Sequence, residues 1–117
     1  MITNMGAKVL ALDIMERSTC SVRVGAAIED KNGRIFSWAW NSPGAGFGEH
    51  AEKAAIRRAN RERLEGATIY VCSVRSKHGR PIYSKPCEEC QNVIDKWGLK
   101  VVYRSSDGEW YQGEEVK

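Results

Sequence analysis

Histidine is scarce in this chain, with two in 117 residues, and so are proline, with three, and cysteine, with four. No apolar run approaches the roughly 20 residues that would cross a bilayer, so a membrane role is not expected. The opening residues 1–18 have no basic segment followed by an apolar stretch and a small-residue cleavage site. They are expected to be structure and not a leader peptide. Four cysteines without an export signal argue against a disulfide framework and for a reducing, cytoplasmic setting, where close cysteine pairs more often bind metal. A net charge of +3 permits a nucleic-acid partner without requiring one. Repeats, low-complexity tracts and linkers are also missing, so residues 1–117 are expected to form a single domain.

What is present is ordinary for a folded protein, 42% hydrophobic and 28% charged. Residues 5–17 carry a helical stripe of Ala7, Leu10 and Ile14. "CSVRVGAAIE" alternates, with Val22, Val24, Ala26 and Ile28 on one side, which predicts a strand. "DKNG" supplies a turn and "RIFSWAW" a returning strand, on which Phe36, Trp38 and Trp40 are expected to be core. A glycine-rich loop, 41–49, delivers the chain to His50. Residues 50–64 read as a helix whose Ala51, Ala55 and Ala59 make a flat face, stopped by Gly66. "ATIYVCSV" is a buried strand by its β-branched content. Residues 87–97 read as a helix opened by Pro86 and closed by Gly98, followed by the strand "LKVVYRS". Only "SSDG" then precedes a weak strand, 109–116. Parallel neighbours need a crossover of about a dozen residues, so this last pair must be antiparallel. The sum is an α/β fold: a mixed sheet with helices over both faces.

Two helix starts carry the chemistry. His50 and Glu52 open one; Cys87 and Cys90, one turn apart, open the other. HxE recurs by chance and a lone CxxC is weak, but together, each at a helix start, they are specific. If the starts meet, one imidazole and two sulfurs make three ligands, and tetrahedral zinc keeps its fourth position for water. Helix N-termini favour thiolate over thiol. Glu52 cannot join the ligands at that spacing, but it can reach the water and shuttle its proton. Such a pair suits hydrolysis at a carbon that bears an amine. Cys20 and Cys72, among apolar neighbours, read as inert core thiols.

"HAE" followed by "PCEEC" resembles the zinc signature of the cytidine deaminase superfamily. "RVGAAIEDKNGRIFSWAWN" is similar to that family's first hairpin, and the element order agrees over residues 21–103. The resemblance implies a three-layer α-β-α sandwich around a mixed five-stranded sheet with an antiparallel C-terminal hairpin. It implies Zn2+ held by His50, Cys87 and Cys90, and Glu52 as the proton shuttle. It places Gly25 and Ala26 under the site, and Asn41, Ala51, Lys85 and Pro86 against substrate. The implied reaction releases ammonia from cytosine in a small pyrimidine nucleoside or nucleotide; the alternative is cytosine in single-stranded DNA or RNA. A homo-oligomer is implied as well. An antiparallel final pair is similar to cytidine deaminases and toxin-type deaminases, whereas deoxycytidylate, tRNA and polynucleotide-editing groups usually insert a helix there. The chain also departs from simple cytidine deaminases, with "SPG" after Asn41 and His50 as first ligand. Arg75, Lys77, His78, Arg80 and Lys85 form a basic loop that reads either as a phosphate contact or as solvated surface; His78 is expected at the surface. Arg57, Arg58, Arg61 and Arg63 are expected to be solvated or to meet a subunit.

Overall fold

A computed structural model describes residues 3–43 and 49–113. Helix α1 (Thr3–Met15) leads into β1 (Val22–Glu29), β2 (Ile35–Trp40), α2 (Ala51–Arg58), β3 (Thr68–Arg75), α3 (Glu88–Lys96), β4 (Lys100–Arg104) and β5 (Trp110–Gln112). The strands form one sheet in the order β2-β1-β3-β4-β5. Only β3 and β4 run parallel, joined through α3, and every other neighbouring pair is antiparallel. The terminal hairpin therefore forms as its short link requires. In that link Gly108, at φ 83°, adopts a conformation that a side chain would resist. The Asp107 carboxylate accepts from the Glu109 amide at 2.9 Å and from the Tyr111 hydroxyl at 2.6 Å. The expected strand residues 114–116 and loop residues 44–48 lie outside the described residues.

Both sheet faces are covered, which explains why β1 is buried on consecutive residues and not only on alternate ones. On one face Ala7, Ala11 and Met15 of α1 pack on Ala27, Tyr70, Cys72 and Val74. On the other, Ala51, Ala54, Ala55 and Ile56 of α2 and Ile94 of α3 pack on Ala26, Ile28, Ile69, Val71 and Tyr103. Small residues let α1 lie against the backbone: a Cβ on Gly25 would sit 2.3 Å from the Ala11 carbonyl oxygen. Gly25 thus serves the α1 face, while Ala26 faces α2.

Three sequence readings are corrected. The predicted helix 50–64 ends at Arg58, because Ala59 is extended and the Asn60 side chain accepts from the Glu62 amide at 2.9 Å to start a 3-10 turn, Arg61–Arg63. The β2 aromatics do not form a common core face. A register shift at Ile28/Glu29 turns Phe36 toward the α2 core. Trp38 is 45% exposed, and Trp40 is half-buried beneath the Arg17 and Arg58 guanidiniums. Cys20 is half-buried and not in the core, unlike Cys72, whose thiol burial pushes up to about 12. His78 and the rest of the basic loop residues named above are exposed.

The β1–β2 turn makes a testable acid sensor. Asp30 accepts from Arg63 at 2.6 Å and from the Asn32 and Arg34 amides at 2.9 Å. Arg63, then the backbone donors, hold its carboxyl below the ordinary range. A depressed native pKa adds stability above the unfolded value, about 3.9, and that stability is lost as pH falls through the native one. Asp30→Asn is expected to lower the melting temperature at neutral pH and to flatten its acid-side fall. Parallel acid slopes in thermal melts of the two proteins would contradict this.

Candidate active site

His50 is the N-cap of α2 and Cys87 the N-cap of α3, and neither side chain is spent on capping its own helix. Both are therefore free to project outward, and contact between α2 and α3 brings the two helix starts together. His50 Nδ1 lies 3.1 Å from Cys90 Sγ and 3.7 Å from Cys87 Sγ. All three donor atoms lie within 4.8 Å of one another. Tetrahedral zinc with bonds of about 2.0 Å to nitrogen and 2.3 Å to sulfur would set such separations near 3.6 Å. The three residues that the sequence singled out thus form a cluster that fits the ion in spacing and in donor type.

The electrostatics point the same way. Burial pushes the Cys90 thiol up, and the Glu52 carboxylate and Cys87 add to the rise. The helix-start effect expected to favour thiolate is overridden by desolvation and neighbouring negative charge. A buried thiol beside a buried carboxylate is a site short of a cation, and a bound metal is what deprotonates such a ligand. Lys53 supplies part of that charge: its pairing with Glu89 across the two helices holds its ammonium above the ordinary range, with smaller contributions from both sulfurs. Sequence reading missed this pair, although Lys53 follows Glu52 directly and Glu89 lies between the two cysteines.

Glu52 occupies the first turn of α2 and is 7% exposed. Burial raises its pKa, opposed by its own backbone amide, His50 and Cys90. A carboxyl so placed can both take and return a proton. It lines a cavity of about 380 Å³ together with His50, Cys87, Ala51, Asn41 and Lys85. Pro86 is buried and lies outside that lining. A larger hollow of about 910 Å³ opens between α2 and α3, but it reaches neither Glu52 nor either cysteine. The smaller cavity is the one that joins the metal cluster to the carboxyl.

Asn41 does more here than line a wall. Its Oδ1 accepts from the Val24 amide at 2.8 Å and its Nδ2 donates to the Val22 carbonyl at 2.9 Å. One N–H and one acceptor site of the amide stay unused by these two bonds. Beyond Asn41, Ser42 and Glu49 exchange backbone hydrogen bonds at 3.2 and 2.9 Å and close the neck of the loop just before His50. Ser73 and Ser84 also line the cavity, with their hydroxyls 2.6 Å apart. Neither residue carries a signal in sequence, since their pairing depends on how residues 81–84 return beside β3.

Comparison with known proteins agrees with this geometry. A family model described as the cytidine and deoxycytidylate deaminase zinc-binding region matches residues 4–105. Cytidine deaminase from Burkholderia pseudomallei is similar in fold, with a TM-score of 0.75 at 22% identity over 96% of this chain and 92% of that one. The dCMP deaminase of cyanophage S-TIM5 has a TM-score of 0.67 at 26% identity, over 92% and 89% of the two chains. Acinetobacter baumannii RibD aligns over 88% of this chain but only 28% of its own, with a TM-score of 0.61 at 24% identity. No curated protein matches the sequence significantly.

Proposed function

This chain belongs to the cytidine and deoxycytidylate deaminase zinc-binding family, and from that premise we propose that it hydrolyses the exocyclic amine of cytosine in a small nucleoside or nucleotide. The observation that carries the reading is the placement of buried Glu52 in one cavity with the His50 and Cys87 ligand atoms. His50, Cys87 and Cys90 would hold Zn2+, which supplies the Lewis acidity that makes water nucleophilic near neutral pH. Glu52 takes a proton from the attacking water and passes it to ring N3, and a second transfer sends the amine out as ammonia. Water is consumed, the carbon–nitrogen bond breaks and a carbonyl replaces it, with no change in redox state.

Support for a small substrate comes from the cavity itself. Its volume of about 380 Å³ lies in the range of small-molecule pockets. Its walls come from β1, from β3 and from residues 82–85. Asn41 has one donor and one acceptor left for a sugar hydroxyl, and Lys85, exposed and part of the lining, would meet a phosphate. The zinc-loaded protein is expected to release ammonia from cytidine, deoxycytidine or their 5′-monophosphates. Preference for the monophosphates would assign Lys85 its contact. Turnover of a cytosine-containing oligonucleotide alone would overturn the small-substrate reading in favour of a polynucleotide editor.

A further inference from the structure

The hydroxyls of Ser73 and Ser84 have a fixed direction. Ser84 Oγ lies 2.9 Å from the Ile82 carbonyl oxygen, which can only accept, so the Ser84 proton points there. Ser73 Oγ, 2.6 Å from Ser84 Oγ, must then donate to Ser84. Both protons are spent inside the protein, and only lone pairs remain for a third partner. The frame is rigid as well. The Ile82 amide donates to the Ser73 carbonyl at 3.1 Å, and the Ser84 amide donates to the Arg104 carbonyl at 2.9 Å. The two residues are 3% and 6% exposed, and both belong to the cavity that holds Glu52.

We propose that this serine pair is an acceptor-only patch that sets specificity, favouring a ring that presents an exocyclic amine to the pair over one that presents a carbonyl oxygen there. The inference rests on the cytosine reading above. Cytosine carries amine hydrogens where its deaminated counterpart carries an oxygen. Before reaction, a donor meets the serine lone pairs. After it, lone pair faces lone pair, and a buried acceptor left facing another acceptor is costly. The pair therefore discriminates against product and assists its departure.

The test uses the zinc-loaded full chain carrying Glu52→Gln, so that bound substrate is not consumed, with cytidine and uridine titrated calorimetrically. Ser73→Ala in that background is expected to compress the cytidine-over-uridine preference by roughly tenfold, mainly by weakening cytidine. Ser84→Ala works in the opposite sense on product. It frees the Ser73 proton to point into the cavity, and uridine is expected to bind several-fold tighter. A merely structural role would weaken both ligands together in both variants. Ser73→Thr, which keeps the hydroxyl, should restore the preference and guards against a variant that fails to fold. Binding of both ligands with a ratio untouched by Ser73→Ala and Ser84→Ala would overturn the serine assignment alone. Absence of any binding or turnover of cytidine, deoxycytidine or their 5′-monophosphates in the parent protein would overturn the cytosine reading, and this inference with it.

Discussion

Glu52→Gln is expected to lose about 10²- to 10⁴-fold in kcat/KM, the usual share of a positioned acid–base group, while binding zinc as the native chain does. The amide keeps the size of the carboxyl and can still hydrogen-bond, but it cannot accept and release a proton. Retention of metal is the discriminating half of this expectation. Glu52 lies in the turn that follows His50, and it is a buried neighbour of Cys90, whose thiol is pushed up first by burial and then by the Glu52 charge. If it were a ligand in its own right, zinc content measured by elemental analysis would drop with activity. If it were only a buried filler, turnover would survive. Loss of activity with unchanged zinc is the one outcome that fits a proton shuttle.

Gly25→Ala is the second large effect, and it concerns the opposite face of the sheet. A methyl group there would stand 2.3 Å from the Ala11 carbonyl oxygen, 2.9 Å from Met15 Cβ and 3.0 Å from the Met15 amide nitrogen. Two of those three atoms are backbone, so relief requires α1 to move away from β1. Overpacking of this kind costs about 3 kcal/mol, which corresponds to roughly 10–15 °C in melting temperature for a chain of this size. Gly6→Ala provides the contrast. Its Cβ would meet only Ile35 Cδ1, at 3.7 Å, and alanine favours the helix by about 0.5–1 kcal/mol. Similar melting temperatures for the two variants would mean that α1 does not lie on β1 as described.

Much of the site was legible because its residues are local signals. His50 and Glu52 open one helix, and Cys87 and Cys90 open another, so spacing alone set which side chains could converge. The antiparallel hairpin followed from the four residues between β4 and the next extended stretch. What escaped detection depends on distant pairing. The Ala- and Arg-rich run after His50 continues a helical pattern through Leu64, and only the Asn60 side chain, by capping a new turn, shows where α2 stops. The aromatics of β2 alternate correctly in sequence, yet one irregular step in pairing with β1 separates Phe36 from Trp38 and Trp40. Ser73 and Ser84 look like any two serines until residues 81–84 fold back along β3. Asn41 matched a position associated with sugar contact, but its clamp on Val22 and Val24 depends on the approach of a neighbouring strand.

The ligand atoms come from two helix starts, with His50 and Cys87 separated by 37 positions in the chain. Neither start alone holds enough donors to retain an ion firmly. The ion can be held only once the two starts meet, as in other sites assembled only on folding, so its binding adds to the stability of the folded chain. A bound ion thus marks a molecule whose two helix starts have met, and chelation is expected to lower the melting temperature.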